Sequence, residues 1–407
     1  MLPAFFLLAV ACSACYALDN GVALTPPMGW STWNTLACDY DEGDLREIAD
    51  IMVKTGLTKL GYVYFNIDDC WEDGRDANGR LRYNATQFPS GMHGWGQHLH
   101  SLGMKFGIYT SSGQYTCSGF EGSWGHEFED AQTFADWEVD FMKLDCCNTS
   151  VEMKNVSYPK WSKALNATGR PIVYSCDTDE LIGIFPWTNE ERPWDWAPPV
   201  CNMWRTWKDI KPYWWSWTMN LAFNIETWDL LDLSTIAKPG AFNDPDMLEV
   251  GVGEMTYEES KSHFSLWAMM AAPLILGNDL RHMTTETLDI ITNAEVIAID
   301  QDPLGRQGRR VLQGIDSDIY AKPLVGGAIA VALWNKVDYP VDITLNWSDL
   351  GFAPAKTMAL RDLWAHRDLG PHTQSYTAKA VAPTGVVVLK LSPVPGQPPL
   401  HHLLLST

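Results

Sequence analysis

The sequence predicts an α/β fold: a (β/α)8 TIM barrel followed by a C-terminal antiparallel β-sandwich. Two observations favour the barrel, namely a chain of 407 residues and eight short apolar runs whose centres lie 30 to 42 residues apart. A third observation favours the sandwich: near Asp302 the pattern changes to short alternating runs with no long helical pattern between them.

The eight apolar runs have the spacing of one βα unit each, as in a TIM barrel. They are centred on Trp30, Ile67, Tyr109, Leu144, Tyr174, Trp204, Phe242 and Leu276. Segments between them, such as Asp44 to Thr55 and Ala131 to Trp137, have the pattern of helices. We assign residues 18–308 to the barrel, with a doubly wound sheet of eight units as the alternative.

The region from Val311 to Leu391 contains the segments DIYAKPL, GAIAVALWN, VDITLNW and TGVVVLKL, which are typical of antiparallel strands. We assign residues 309–393 to the sandwich and 394–407 to a Pro-rich tail.

The first 17 residues, MLPAFFLLAVACSACYA, have the length and composition of a signal peptide cleaved after Ala17. A buried N-terminal helix is the alternative. No other run is long enough to span a membrane. Removing Cys12 and Cys15 leaves 9 − 2 = 7 cysteines, which predicts three disulfides and one thiol in an oxidising compartment.

Five N-x-[ST] sequons agree with passage through the secretory pathway, to a lysosome or the exterior; they begin at Asn84, Asn148, Asn155, Asn166 and Asn346.

The charge balance excludes nucleic acid as a partner. Lys plus Arg number 29 and Asp plus Glu number 50, so the formal net charge is 29 − 50 = −21, which repels phosphate backbones and anionic membranes.

Polar residues follow almost every predicted barrel strand: Asp68, Asp69, Asp145, Asp177, Arg205 to Asp209, Asn243, Asp244 and Asp246. Because the carboxyl ends of parallel barrel strands meet on one face, these side chains are expected to form one acidic site. Asp145 and Asp209 follow the fourth and sixth strands, so they are expected to face each other, and a carboxylate pair is what glycoside hydrolysis requires.

The surroundings of the pair suggest two roles. Lys143, on the same strand face as Asp145, is expected to keep Asp145 ionised. The aromatic run Trp204 to Trp207 is expected to desolvate Asp209 and raise its pKa, as a general acid requires.

Other interpretations remain open for these residues. An Asp after a strand is often a helix N-cap, for which Asp44 is a candidate, and Asp244-Pro245-Asp246 has the pattern of an Asx turn. An inactive sugar-binding protein is the non-enzymatic alternative, although both candidate catalytic carboxylates are present. No phosphate-loop, zincin or serine-hydrolase motif occurs, and neither a metal nor a cofactor is implied.

Eight blocks of sequence, in this order, resemble the α-galactosidase and α-N-acetylgalactosaminidase family of retaining glycoside hydrolases. They are LDNGVALTPPMGWSTWN, FNIDDCW, KFGIYTSSG, FADWEVDFMKLDCC, WRTWKDI, FNDPDMLEVG, MMAAPLILGNDLR and IDQDPLGRQGRR. The resemblance is strong up to about Gly308, and in the sandwich it lies mainly in the pattern.

The resemblance implies a nucleophile at Asp145 and a general acid/base at Asp209. It places Asp68 and Asp69 at the galactose 6- and 4-hydroxyls, Lys143 at the 3- and 4-hydroxyls, and Arg205 near the 2-position. Side chains that shape the rest of the sugar site are then Trp33, Tyr109, Asp177, Asp246 and Met247.

The family's disulfides map to Cys38–Cys70, Cys117–Cys147 and Cys176–Cys201. Cys146 stands where the family usually has Gly, which leaves open whether Cys146 or Cys147 pairs with Cys117. A homodimer is the oligomeric state that the resemblance implies.

The loop SCDTDELIGIFPW after the fifth strand matches neither of the family's two specificity patterns. It offers Asp177, Asp179 and Glu180 to the 2-position and has no Ser-x-x-Ala. We therefore expect a preference for galactose over N-acetylgalactosamine, with mixed activity as the alternative.

Overall fold

The computed structural model describes residues 17–178, 192–221 and 236–394. The signal-peptide prediction lies outside these residues except for Ala17, and so do Asp179, Glu180 and nearly all of the Pro-rich tail. Among the described residues, no helix is long and apolar enough to cross a bilayer.

Eight parallel strands form the first part of the fold, in the order β8-β1-β2-β3-β4-β5-β6-β7. Their bounds are β1 Met28–Ser31, β2 Tyr64–Asn66, β3 Lys105–Ser111, β4 Phe141–Asp145, β5 Val173–Cys176, β6 Met203–Arg205, β7 Phe242–Asp244 and β8 Leu274–Leu276. Leu248, just after β7, completes the ring, because its N–H donates to the carbonyl of Ile275 (2.8 Å) and its carbonyl accepts from Gly277 (3.2 Å). The TIM-like barrel prediction is therefore confirmed, and the doubly wound alternative is wrong.

The interior of this barrel is crowded by polar as well as apolar side chains. Gly107 shows the constraint: a Cβ on this residue would collide with the carboxamide of Asn66 on the neighbouring strand. A larger residue at this position would therefore force the Asn66 side chain out of its place in the barrel.

The helices that flank the strands have the bounds Trp33–Leu36, Glu42–Lys54, Gly91–Ser101, Glu127–Asp136, Val151–Ala167, Pro193–Trp196, Tyr257–Met270, Thr285–Ile291 and Ala294–Asp300. A two-stranded hairpin, Glu72–Arg75 with Leu81–Tyr83, follows β2.

Two of these helices begin earlier than the sequence pattern predicts. The suggestion that Asp44 is an N-cap is wrong: Asp41 is the cap, and its side chain accepts from the N–H groups of Gly43 (2.7 Å) and Asp44 (3.1 Å). Asp44 is the N3 residue, and it accepts in return from the Asp41 N–H (3.2 Å), which completes a capping box. The helix predicted from Ala131 begins at Glu127, a buried residue paired with Lys160 at 2.5 Å.

The C-terminal part is antiparallel throughout, with a six-stranded sheet in the order β9-β10-β11-β16-β13-β14 and a two-stranded sheet β12-β15. The bounds are β9 Arg309–Gln313, β10 Ser317–Pro323, β11 Ile329–Asn335, β12 Val341–Asn346, β13 Thr357–Asp362, β14 Arg367–Thr373, β15 Ser375–Val381 and β16 Val386–Pro393. Ile319, Leu333, Leu345, Trp347 and Leu389 are among the residues that fill the core between the sheets.

The sandwich is joined to the barrel by polar bonds as well as by apolar packing. The Lys322 ammonium donates to the Ala268 carbonyl (2.9 Å), and the Trp364 indole donates to the Ser265 hydroxyl (2.9 Å). Arg361 pairs with Glu295 at 2.6 Å. The hydrogen bonds from Arg361, followed by the bond from His366, lower the pKa of Glu295 to about 2.

Removing the charge of Glu295 is expected to weaken this junction. Glu295→Gln should lower the free energy of unfolding by about 0.2–1 kcal/mol at pH 5, as for other partly exposed ion pairs. Because the pKa of this carboxyl is lowered from 4.5 to about 2, the difference from wild type should shrink as the pH falls from 4.5 toward 2. Thermal unfolding at pH 5 and pH 3 measures it, with Glu129→Gln, an exposed glutamate of the barrel, as the control. A Glu295→Gln deficit that grows on acidification would contradict this assignment.

Candidate active site

A cleft of about 480 Å³ opens at the carboxyl ends of the barrel strands. It is lined by Trp33, Asp68, Asp69, Tyr109, Cys117, Lys143, Asp145, Cys147, Asp177 and Asp209. A second cavity of about 700 Å³ shares five of these residues and extends toward the barrel interior, where Arg205, Asp246 and Met247 also line it. The structure thus brings together all eleven catalytic and sugar-contacting candidates from the sequence that lie within the described residues.

Lys143 lies among three carboxylates. Its Nζ is 3.1 Å from Asp68, 3.7 Å from Asp177 and 3.9 Å from Asp145. Burial alone would lower the pKa of Lys143, but the charges of these carboxylates outweigh it, so the pKa lies well above its ordinary value. The ammonium is therefore a permanent positive charge beside Asp145.

Arg205 is a second cation of the site, more deeply buried than Lys143, and it also contacts three carboxylates. Its Nη1 donates to Asp177 (2.9 Å), and its Nη2 lies 3.0 Å from Asp209 and 3.1 Å from Asp246. The Arg205 side chain is only 4% exposed, whereas that of Asp209 is 53% exposed. The guanidinium thus links the rim of the cleft, at Asp209, to its buried floor.

The predicted rise in the Asp209 pKa is wrong. Burial raises the pKa of Asp209, but the charges of Arg205 and Lys143 and the hydrogen bond from Arg205 together lower it by more. The pKa of Asp209 is therefore below its ordinary value. The aromatic run does not change this: Trp204 is fully buried and its indole donates to Asn243 (3.0 Å).

Asp145 ends β4, and the Cys146 N–H donates to its Oδ1 (2.6 Å). The Cys117–Cys147 disulfide forms the adjacent wall, since both sulfurs lie within 4.8 Å of an Asp145 carboxylate oxygen. The Tyr109 hydroxyl donates to the Cys117 sulfur (3.2 Å). Burial, followed by the neighbouring carboxylates, raises the pKa of Tyr109 well above its ordinary value, so this hydroxyl keeps its proton.

The structure pairs Cys38 with Cys70, Cys117 with Cys147 and Cys176 with Cys201, which are the pairings that the resemblance implies. Cys146 is buried and takes part in none of them. The question left open by the sequence is thus answered in favour of Cys147.

Asp68 and Asp69 are oriented by backbone donors. Asp68 accepts from the Asp69 N–H (2.9 Å), and Asp69 accepts from the N–H groups of Cys70 and Ser118 (2.8 Å each). Burial raises the pKa of Asp68, against the opposing charge of Lys143. Each carboxylate oxygen has two lone pairs, so these bonds leave capacity to accept from hydroxyls in the cleft.

The turn after β7 supports the floor of the site. The Asp246 N–H donates to Asp244 (2.9 Å), so the Asx-turn interpretation of Asp244-Pro245-Asp246 is correct as well. The Asp246 carboxylate accepts from the Met247 N–H (2.7 Å) and the Ile210 N–H (2.8 Å) in addition to its contact with Arg205. Asp246 also has a positive φ of 87°, an unusual conformation for a residue other than glycine.

Sequence reasoning missed a buried carboxyl behind this turn, Glu249. Burial, reinforced by Asp246, raises its pKa to about 8, and burial with the opposing charge of Arg205 brings the pKa of Asp244 to about 7. Glu249 accepts from the Asn34 carboxamide, and its N–H donates to His263 (3.0 Å). Its position within FNDPDMLEVG was the available signal.

All five sequon asparagines are exposed, so the folded protein has room for a glycan at each of them. The Asn148 carboxamide also donates to the carbonyls of Tyr115 and Thr116 (3.3 Å each), close to the active-site disulfide.

Two protein-family models together match nearly all of the described chain. A family model described as alpha galactosidase A matches residues 25–302, and one described as alpha galactosidase C-terminal beta sandwich domain matches residues 314–391. The probable alpha-galactosidase of Dictyostelium discoideum is 43% identical over 396 residues, which are 96% of this chain and 99% of that protein. The alpha-N-acetylgalactosaminidase of Homo sapiens is 38% identical over 391 residues, 93% of this chain and 94% of that protein.

Among solved structures, alpha-galactosidase I from Mortierella vinacea has a TM-score of 0.85 and 33% identity to this chain. The match covers 92% of this chain and 98% of that chain.

Proposed function

Since this chain belongs to the α-galactosidase family of glycoside hydrolases, we propose that it removes terminal α-linked galactose from glycolipids, oligosaccharides or glycoproteins by double displacement. The observation that carries the proposal is the placement of Asp145 and Asp209 in one cleft, beside the partly buried cation Lys143 and the buried cation Arg205. Paired carboxylates of this kind supply a nucleophile and an acid/base.

In the first step an Asp145 oxygen attacks C1 of the galactoside. The bond from C1 to the glycosidic oxygen breaks as Asp209 gives its proton to that oxygen, and the aglycone leaves. In the second step the Asp209 carboxylate takes a proton from water, the water oxygen bonds to C1, and the ester bond to Asp145 breaks. Two inversions at C1 release α-galactose and restore both carboxyl groups to their starting protonation states.

The other residues of the cleft bind the sugar in this proposal. Asp68 and Asp69 accept from galactose hydroxyls, and Lys143 donates to them while its charge, 3.9 Å from Asp145, favours the ionised nucleophile. Trp33, Tyr109 and Met247 supply the apolar surface for the C–H faces of the sugar.

We also propose a preference for a free 2-hydroxyl. Asp177 is buried and held by Arg205 at 2.9 Å, so it offers a fixed acceptor where the resemblance places the 2-position. An N-acetyl group at that carbon needs more space than a hydroxyl. The similarity to the human α-N-acetylgalactosaminidase makes that activity the second candidate.

A lysosomal or secreted location and a homodimeric state are further proposals. The three disulfides and five exposed sequons support passage through an oxidising, glycosylating compartment. Light scattering of the purified protein measures the oligomeric state.

The stereochemistry of the product is expected to be retained. Proton NMR of 4-nitrophenyl α-galactoside hydrolysis should show α-galactose as the first-formed sugar, with the N-acetylgalactosaminide hydrolysed more slowly under the same conditions. Initial β-galactose would contradict double displacement, and a faster N-acetylgalactosaminide reaction would reverse the proposed preference.

The pH profile should have its maximum on the acid side of neutrality. Asp209 must carry a proton in the first step, and its pKa in the free protein is lowered, so kcat/KM should fall as the pH rises toward 8. Lys211 also lowers the pKa of Asp209 by its charge. Lys211→Met should therefore move the high-pH limb to higher pH, and 0.5 M salt should reduce the difference from wild type.

The matched control is Lys54→Met, at the end of a barrel helix, whose profile should overlay that of the wild type. Activity that rises steadily through pH 8 in the wild type would contradict a required proton on Asp209.

A further inference from the structure

The backbone of the loop that carries Asp209 is held by hydrogen bonds on both sides of that residue. On the N-terminal side, the carbonyl of Lys208 accepts from the Asn220 carboxamide (3.0 Å). On the C-terminal side, the Ile210 N–H donates to Asp246 (2.8 Å) and the Lys211 N–H donates to the Ser216 hydroxyl (2.8 Å). The backbone on either side of Asp209 is therefore held by side chains from two other parts of the chain.

Asn220 differs from the other residues that hold this loop because it bonds to two segments of the site at once. It is 2% exposed, and its Nδ2 also donates to the carbonyl of Pro245 (2.9 Å). A carboxamide nitrogen has two hydrogens, so both are used: one on the Asp209 loop and the other on the turn that holds Asp246. A single side chain thus fixes the distance between the acid/base loop and the turn beneath it.

The helical residues 214–221 that carry Asn220 are themselves firmly packed. Trp214 and Trp217 contact each other with ring centroids 4.9 Å apart, and both contact Trp334 of the sandwich strand β11, at 5.7 and 5.8 Å. Trp217 is fully buried. Because closely packed interiors of this kind resist small displacements, the helix keeps Asn220 in a fixed position relative to the loop.

We propose that Asn220 is a positioning residue for proton transfer to the leaving group. Asn220 donates to the carbonyls of both Lys208 and Pro245, and these two bonds set where the Asp209 carboxyl lies relative to the glycosidic oxygen. The inference rests on the proposed role of Asp209 as acid/base. A proton donor must approach to about 2.6–3.2 Å, and a displacement of about 1 Å can cost about 100-fold in rate.

A positioning role makes a prediction that a purely structural role does not. Leaving groups that are good anions depart without a proton, so only poor leaving groups depend on the placement of Asp209. Loss of Asn220 should therefore reduce the rate selectively for poor leaving groups, whereas a general loss of fold or of sugar binding would reduce all rates alike.

The experiment measures kcat/KM, which covers only the steps up to departure of the aglycone, for aryl α-galactosides ranging from dinitrophenyl to unsubstituted phenyl. Asn220→Ala is expected to lose about 10- to 100-fold on the phenyl galactoside and less than about threefold on the dinitrophenyl galactoside. Asn220→Asp, which keeps the shape but not the two donors, should show the same selectivity. Circular dichroism and Tm identify which variants are folded, and either folded variant decides the question.

Two reference variants separate the possible failures. Asn335→Ala removes a buried sandwich carboxamide that also donates to carbonyl groups, and it should change all the aryl substrates equally or not at all. Asp209→Asn should show a strong leaving-group dependence. If Asp209→Asn shows it and the folded Asn220 variants do not, the inference about Asn220 is wrong and the proposed function stands. If Asp209→Asn lacks it, the role of Asp209 is wrong and the inference falls with it.

Discussion

Two cations at the carboxyl ends of β4 and β6, the strands on either side of β5, hold the site together. Lys143 on β4 and Arg205 on β6 lie between five carboxylates, those of Asp68, Asp145, Asp177, Asp209 and Asp246. Without these cations, so many carboxylates in one buried place would repel one another and take up protons, because an unpaired buried charge is very costly. With them, the strand ends keep an acidic cleft in which individual carboxyls differ in protonation.

The consequence for chemistry is that the carboxyls differ in how readily they take up a proton, because burial and the charge of the cations act against each other at each of them. The carboxyls beyond the reach of close ion pairing, Asp244 and Glu249, have pKa values of about 7 and about 8 and so keep protons under acidic conditions. Asp209, in direct contact with Arg205, has a lowered pKa and gains its proton only in acid. The activity that we propose is therefore coupled to an acidic environment through Arg205.

The barrel and the convergence of polar residues on one of its faces could be predicted from the sequence, because strand spacing and strand ends depend on local apolar patterns. The protonation of Asp209 could not, since it depends on whether Arg205 or the aromatic neighbours lie closer to its carboxyl. The N-cap at Asp41 was missed for a related reason: the capping box depends on the backbone turn before the apolar pattern begins. Glu249 lies within the block FNDPDMLEVG, but only the fold shows its contact with Asn34. Asn220 lies outside all eight blocks, and its contacts join residues from distant parts of the chain.

The account depends most directly on Asp145 being the nucleophile, the residue whose carboxylate oxygen bonds to C1 of the sugar. A mechanism-based reagent, 5-fluoro-α-galactosyl fluoride, tests this. Its anomeric fluoride departs readily, whereas the fluorine at C5 slows the second step, so a covalent intermediate should accumulate. Peptic digestion and mass spectrometry of the inactivated protein should find the fluorogalactosyl group on the peptide that contains Asp145, and Asp145→Asn should prevent labelling. A label on Asp209 or on any other residue would contradict the account.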